Sequence, residues 1–270
     1  MSHCFFARGF LPTGSNNYGL SELIGKIKKI FISKKIISAI LNKKANLYRK
    51  LKIIKPYNFV FCTGQEAKNT YSDVSKIVNV NYFDYDAYFI KKKETNMSVI
   101  DSKYCVFLDD NLIQSIDFKI LEIKTITPKS YYESLNRFFS LIEKKFNLKV
   151  LIAAHPKSNY KNSEFIERQC YKNMTNELVK NCEFVLTHYS SAISFAVCYK
   201  KTIFFIYNDE MKKLNYIYSN INNISKYLDS KMYNIDDINA VNELFIDGVN
   251  EEKYSMYKYE YLTSKDKHYN

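Results

Sequence analysis

The chain has 270 residues, 46% hydrophobic and 16% aromatic, which is enough apolar material for a folded core and for one or two domains. Only 6 Gly and 4 Pro occur, so collagen-like, Pro-rich and Gly-linker segments are excluded and turns fall to Asn, Asp and Ser. Forty Lys+Arg against 28 Asp+Glu give a formal charge of +12, which calls for an acidic partner without choosing between nucleic acid, anionic lipid and an anionic nucleotide.

At the start of the chain, the apolar run Phe5 to Leu11 is broken by Arg8 and lacks a cleavage pattern, so no signal peptide is expected. No uninterrupted apolar stretch of about 18 residues occurs, so no membrane span is expected either, and the reading is a cytoplasmic start. Ile24 to Leu51 interleaves Lys26, Lys28, Lys29, Lys34, Lys35, Lys43, Lys44, Arg49 and Lys50 with Ile, Leu and Phe. That spacing predicts one or two basic amphipathic helices, either lying on an anionic membrane surface or simply solvated. Nucleic acid is not an expected partner, because no recognition signature accompanies the charge. Asn58 to Thr63 follows as a strand, Gly64 as a turn, Lys76 to Tyr82 as a second strand, and the polar stretch Lys91 to Ser98 as a linker. The expected division is residues 1–98 and 99–270.

From residue 101 onward, short β-branched or aromatic runs alternate with helical-period segments, the pattern of βα units on a parallel sheet. Strands are expected at Tyr104 to Leu108, Lys149 to Ala153, Phe184 to Thr187 and Thr202 to Ile206. Helices are expected at Tyr131 to Phe146, where Leu135, Phe138, Phe139, Ile142 and Phe146 share a face behind Pro128 and Ser130, and at Thr175 to Asn181 and Ser191 to Tyr199. Asp209 to Tyr227, Ile238 to Phe245 and Glu251 to Ser264 complete the helical expectations. The six cysteines form no C-x-x-C pair, which argues against a zinc or redox motif and for buried, reduced thiols.

Parallel α/β sheets bind ligands beyond the carboxyl ends of their strands, and three such ends carry polar groups. Asp109 and Asp110 follow the first strand as a candidate base or a turn pair. His155 and Pro156, with Lys157 behind them, follow the second; the imidazole is a candidate phosphate donor or acid, or a hydrogen-bonded loop residue. His188, Ser190 and Ser191 follow the third, where the serines read either as a helix N-cap or as an anion site.

The ordered runs Phe107-Leu108-Asp109-Asp110-Asn111, Ala154-His155-Pro156-Lys157-Ser158 and Thr187-His188-Tyr189-Ser190-Ser191-Ala192 resemble the acidic, HP and serine motifs of GT-B glycosyltransferases. These enzymes assemble bacterial surface carbohydrate such as capsule and lipopolysaccharide, particularly from CMP-linked sialic acid or Kdo. The resemblance implies an α/β, GT-B-like fold with a Rossmann-like donor domain at 99–270 facing a short or incomplete acceptor-side domain at 1–98. It implies Asp109 or Asp110 as base, His155 as phosphate ligand and acid, and Ser190 with Ser191 as phosphate donors. His188, Pro156, Lys157 and Arg168 are further donor-side candidates. The motif's usual glycine is Asn111 here. No cofactor or metal is implied beyond a nucleotide-sugar substrate, and the implied partners are that donor and a glycan or lipid-linked acceptor at the inner face of the cytoplasmic membrane. Two rival functions are a CDP-glycerol-type polyol-phosphate transferase and a non-catalytic nucleotide-binding or scaffold protein of a glycan-assembly complex.

Overall fold

The computed structural model describes residues 4–7, 57–70, 76–94, 100–115, 118, 125–161 and 164–265, with scattered positions between 40 and 53. Positions 40, 41, 43–45, 47 and 48 are helical. The rest of the expected basic helices, and residues 95–98 of the expected linker, lie outside the described residues.

Six strands form one wholly parallel sheet: β4 (Tyr104–Leu108), β5 (Lys149–Ala153), β6 (Cys170–Tyr171), β7 (Val185–Thr187), β8 (Ile203–Tyr207) and β9 (Met232–Asn234). Their spatial order is β6-β5-β4-β7-β8-β9. Counted from β4, that is 3-2-1-4-5-6, the doubly wound Rossmann order, whose direction reverses between β4 and β7. The α/β class and the Rossmann-like sheet expected in the C-terminal half are therefore observed. All five residues of β4 are buried, which is why this strand is a continuous apolar run with no alternation: helices cover both faces of a parallel sheet.

The first long cover is α3 (Pro128–Phe146; α1 and α2 belong to the small sheet below). Pro128 stands in its first turn, where no N–H is needed, and Leu135, Phe138, Phe139 and Ile142 are fully buried along one stripe. Phe139 meets Phe107 of β4 at a ring separation of 5.2 Å. The helix stops at Asn147, which adopts left-handed φ 49°, a conformation Asn tolerates at a C-terminus. Around the sheet stand α4 (Thr175–Asn181), α5 (Ile193–Cys198), α6 (Asp209–Lys213), α7 (Asn215–Tyr227) and α8 (Glu251–Tyr257).

Several boundaries differ from expectation. The single helix expected over 209–227 is two, because Leu214 (φ −98°, ψ 88°) leaves the helical region. The segment expected as a helix over 238–245 contains only the 3₁₀ turn Ala240–Glu243. The tail is α-helical to Tyr257 and then winds as a π-helix over Lys258–Leu262. Cys62, Cys105 and Cys182 are buried free thiols as expected, whereas Cys4 and Cys170 are exposed. Among the described residues, no helix is long and apolar enough to cross a membrane.

A smaller parallel sheet holds β1 (Cys4–Ala7), β2 (Phe59–Thr63) and β3 (Ile77–Val80) in the order β1-β2-β3, with α1 (Gly64–Thr70) and α2 (Phe83–Lys93) after β2 and β3. The C-terminal segment returns to this sheet. Tyr82 N–H donates to the Leu262 carbonyl at 2.7 Å, and Thr263 Oγ1 donates to Asn81 Oδ1 at 2.7 Å. The return is tight at Gly64, whose φ is +64° and where an added Cβ would lie 2.3 Å from the Glu260 carbonyl oxygen. Both backbone conformation and space therefore require glycine here.

Gly64→Ala is accordingly expected to destabilise the protein by about 2 kcal/mol or more, combining the cost of left-handed backbone with that of overpacking. Urea unfolding measures this directly, and a loss well under 1 kcal/mol would contradict the close approach.

Candidate functional site

β4 lies between β5 and β7, and the two aspartates beyond its end reach different neighbours. Asp109 is 4% exposed. Its Oδ1 accepts from Asn111 N–H at 2.9 Å, and its Oδ2 accepts from His155 N–H at 3.0 Å and from the Tyr160 hydroxyl at 2.6 Å. Expected as one of two candidate bases, Asp109 instead joins the β4 loop to the β5 loop, with both oxygens occupied. Burial and then the Asp109 carboxylate push the Tyr160 phenol well above its ordinary range, so it remains a donor.

Asp110 turns the other way and accepts from Tyr189 N–H, in the loop after β7, at 3.1 Å. It is partly exposed. Burial raises its carboxyl to about 8; the Tyr189 amide opposes this, the neighbouring Asp109 adds to it, and the Ser190 hydroxyl and His188 amide oppose it further. A carboxyl titrating near neutrality is the property expected of a general acid or base, and Asp110 has solvent contact. Asn111 sits at φ +53°. The glycine of the motif corresponds to a left-handed residue, and Asn is the side chain that enters that region most readily.

The β5 loop is built around His155. Its Nδ1 accepts from Lys157 N–H at 3.1 Å, which places the proton of the neutral ring on Nε2. Nε2–H has no partner among the described residues. Ser158 closes the turn by donating its N–H and hydroxyl to the His155 carbonyl at 2.9 and 2.7 Å, while Lys172 Nζ donates to the Ser158 carbonyl. Gln114 and Asn159 exchange hydrogen bonds of 3.2 and 2.7 Å between the β4 and β5 loops. Pro156 and Lys157 are exposed beside the half-exposed imidazole.

After β7, the serines occupy a turn and not the start of a helix: α5 begins at Ile193, and neither serine hydroxyl caps it. Ser190 N–H donates to Thr187 Oγ1 at 3.3 Å, and Ser190 Oγ accepts from Ala192 N–H at 3.4 Å. Ser190 is half-buried and Ser191 exposed. The structure thus brings Asp110, His155, Lys157, Ser190 and Ser191 to three adjacent strand ends.

Two expected residues are placed elsewhere. His188 has no exposed surface; its Nδ1 lies 2.6 Å from the Ile206 carbonyl and its Nε2 lies 3.0 Å from the Tyr131 hydroxyl. The carbonyl can only accept, so Nδ1 carries the proton and Nε2 accepts from Tyr131. Burial lowers the ring to about 4, with the Ile206 carbonyl opposing. His188 is a neutral core residue and not a phosphate ligand. Arg168 lies before β6, at the opposite edge of the sheet. Its Nε and Nη2 grip both oxygens of Glu143 at 3.1 and 2.7 Å, while Nη1 and Nη2 reach Asn136 and Ser140 at 3.0 Å each. It too is removed from the donor side.

Tyr160 and Tyr131 are functional neighbours that the sequence reading missed; each is read as an ordinary aromatic until its partner is placed. Asn111 Oδ1 and Asn208 Nδ2, at the ends of β4 and β8, are buried polar atoms without hydrogen-bond partners among the described residues. Such atoms are rare in folded proteins, where bound water or ligand usually completes them. Among the described residues, no group of His, Cys, Asp and Glu is arranged to hold a metal ion.

No protein-family profile matches the sequence, and no curated relative matches it. Similar solved structures include the UDP-GlcNAc 2-epimerase of Methanocaldococcus jannaschii in complex with UDP-GlcNAc and UDP, at 16% identity over 73% of this chain, TM-score 0.41. They also include the glycotransferase of kitacinnamycin, at 10% identity over 74%, TM-score 0.39, and the spinosyn forosaminyltransferase SpnP, at 11% identity over 75%, TM-score 0.33. The chain spans 59%, 49% and 45% of the lengths of these three.

The geometry sets two expectations. Tyr131→Phe strands the buried His188 Nε2 without a donor and should cost about 1–3 kcal/mol, read as a fall in the urea midpoint at unchanged slope. For Asp110, the folded-state value of about 8 lies above its ordinary 3.8, so the folded protein holds the extra proton between those limits. The stability linked to this group is complete below the lower limit and is lost as pH rises toward the upper one. Asp110→Asn should therefore gain on the wild type steadily from pH 5 to pH 8; a pH-independent difference between the two would show that Asp110 titrates normally.

Proposed function

We propose that the chain binds a nucleotide sugar at the β4/β7 reversal and transfers its sugar to a hydroxyl acceptor, as a GT-B-type glycosyltransferase. The observation that carries this reading is the juxtaposition of Asp110 and His155 Nε2–H on neighbouring strand ends at the point where a doubly wound sheet receives nucleotides. A free imidazole N–H, the exposed Lys157 and the hydroxyls of Ser190 and Ser191 supply donors and charge for a phosphate. Asp110 supplies a proton acceptor whose affinity for a proton is close to that needed at neutral pH.

In the proposed mechanism, the acceptor oxygen attacks the anomeric carbon as the bond from that carbon to the donor phosphate breaks. Asp110, in its ionised form, takes the acceptor proton. The charge developing on the leaving phosphate is met by His155, Lys157 and the two serines, which is electrostatic stabilisation by groups already fixed in place. Asp109 and Tyr160 act as positioning residues, because they hold the backbone of His155. The donor proposed from the motif resemblance is CMP-linked sialic acid or Kdo, and the acceptor a surface glycan or its lipid-linked precursor.

The test is a thermal-shift series with CMP, CDP, UDP and GDP and their sugar conjugates. A ligand at 100 times its Kd adds about 2.7 kcal/mol, which corresponds to several degrees for a chain of this size. The shift should be largest for cytidine nucleotides and nearly absent in His155→Ala. If none of these compounds moves the melting temperature, the donor-site reading fails. A larger shift with CDP-glycerol than with CMP-sugars would reassign the transferred group to a polyol phosphate.

A further inference from the structure

A cavity lies apart from the loops of Asp110 and His155 and shares no residue with them. It is a groove of about 610 Å³ between α1 and the C-terminal helical segment, and its charged and polar walls include Gln65, Lys68, Glu252, Glu260, Ser264 and Lys265. Its volume falls within the range of small-molecule sites.

The walls are fixed by other contacts. The Glu260 carboxylate accepts from the Tyr227 hydroxyl, and the Glu260 backbone is pressed against Gly64. Lys265 Nζ stands 5.5 Å from the centre of the Tyr259 ring. Ser264 closes one edge of the groove and is 5% exposed.

The distribution of charge narrows the ligand. Two acidic residues, Glu252 and Glu260, face two basic ones, Lys68 and Lys265, so neither a polyanion nor a polycation meets a net opposite charge. Met256 and Tyr259 line the groove as well, and an aromatic face suits the C–H side of a sugar ring. A sugar hydroxyl donates and accepts at once, so a lining that mixes ammonium, amide and hydroxyl donors with carboxylate acceptors suits a chain of sugar hydroxyls. We propose that this groove holds a short uncharged oligosaccharide. The inference does not depend on the chemistry proposed for the β4/β7 crevice, and it would stand if that chemistry failed.

The experiment uses the full chain and saturation-transfer NMR with chitotetraose, maltotetraose and mannotetraose, each alone, together with inorganic phosphate and spermidine as charged probes. At least one tetrasaccharide should give saturable transfer, with its Kd raised tenfold or more in Gln65→Ala/Glu252→Ala and unchanged in His155→Ala. Lys265→Ala provides a second variant should the double substitution unfold the chain. The proposal is overturned if no tetrasaccharide binds, if phosphate or spermidine binds in their place, or if binding is lost in His155→Ala but kept in the groove variants.

Discussion

Two consecutive carboxylates at the end of one central strand hold the site together. Asp109 fastens the loop after β5 and Asp110 the loop after β7, so the geometry of all three loops depends on the direction in which two neighbouring side chains leave β4. The hydrogen bonds are shared unequally between the two carboxylates. Asp109 accepts three. Burial first, and Asp109 beside it to a lesser degree, raise the Asp110 carboxyl above the ordinary carboxylate range. The pair that fastens the loops therefore also creates the titrating group among them.

The same asymmetry separates the two histidines. Each follows a strand of the same sheet, and in the sequence each has a claim to a phosphate. What distinguishes them comes from far along the chain. His188 is claimed by Tyr131 and by the carbonyl of Ile206, whereas His155 takes only the local N–H of Lys157 on its ring and so retains Nε2–H. Arg168 is decided in the same way by Glu143, on the helix across the lower edge of the sheet. Short-range spacing identifies residues that lie on a strand end; it does not identify which of them the core has already used.

The central strands were legible for a related reason. β4 and β5 are apolar runs bounded by polar residues, and both have the bounds that their sequence predicts, as do the C-terminal end of α3 and the whole of α4. Elements whose burial is decided by a neighbour were not legible. β6 has two residues and β9 three, too few to show a period. α2 presents no helical stripe of its own, Tyr85 being its one buried residue. Its place is set by contacts with α4 and α5, such as the edge-on packing of Tyr88 and Tyr199 and the bond from Lys180 to the Lys91 carbonyl. Among the site residues, Asp110, His155, Ser190 and Ser191 could be found because motif order and strand position agree; Tyr160 could not, because its role exists only once Asp109 is placed.

The small sheet raises a question of stability that bears on the site. Its separate core among the described residues consists of Ala7, Val60, Cys62 and Ala67, too little apolar surface to offset the ordering of three strands. Contacts with the rest of the chain must make up the difference, and they come from two directions. The C-terminal segment lies against Gly64, Asn81 and Tyr82, and Asp84 on α2 accepts a hydrogen bond from the buried Ser194 on α5. Burial raises the Asp84 carboxyl, with the Ser194 hydroxyl opposing, so this bond lies in a poorly hydrated contact where electrostatic interactions are least screened. Ser194, in the first turn of α5, follows the loop that holds Ser190 and Ser191. The helix that follows the serine loop is thus fixed on one side by the large sheet and on the other by α2, and the small sheet is positioned by the helix that the proposed phosphate-binding serines lead into.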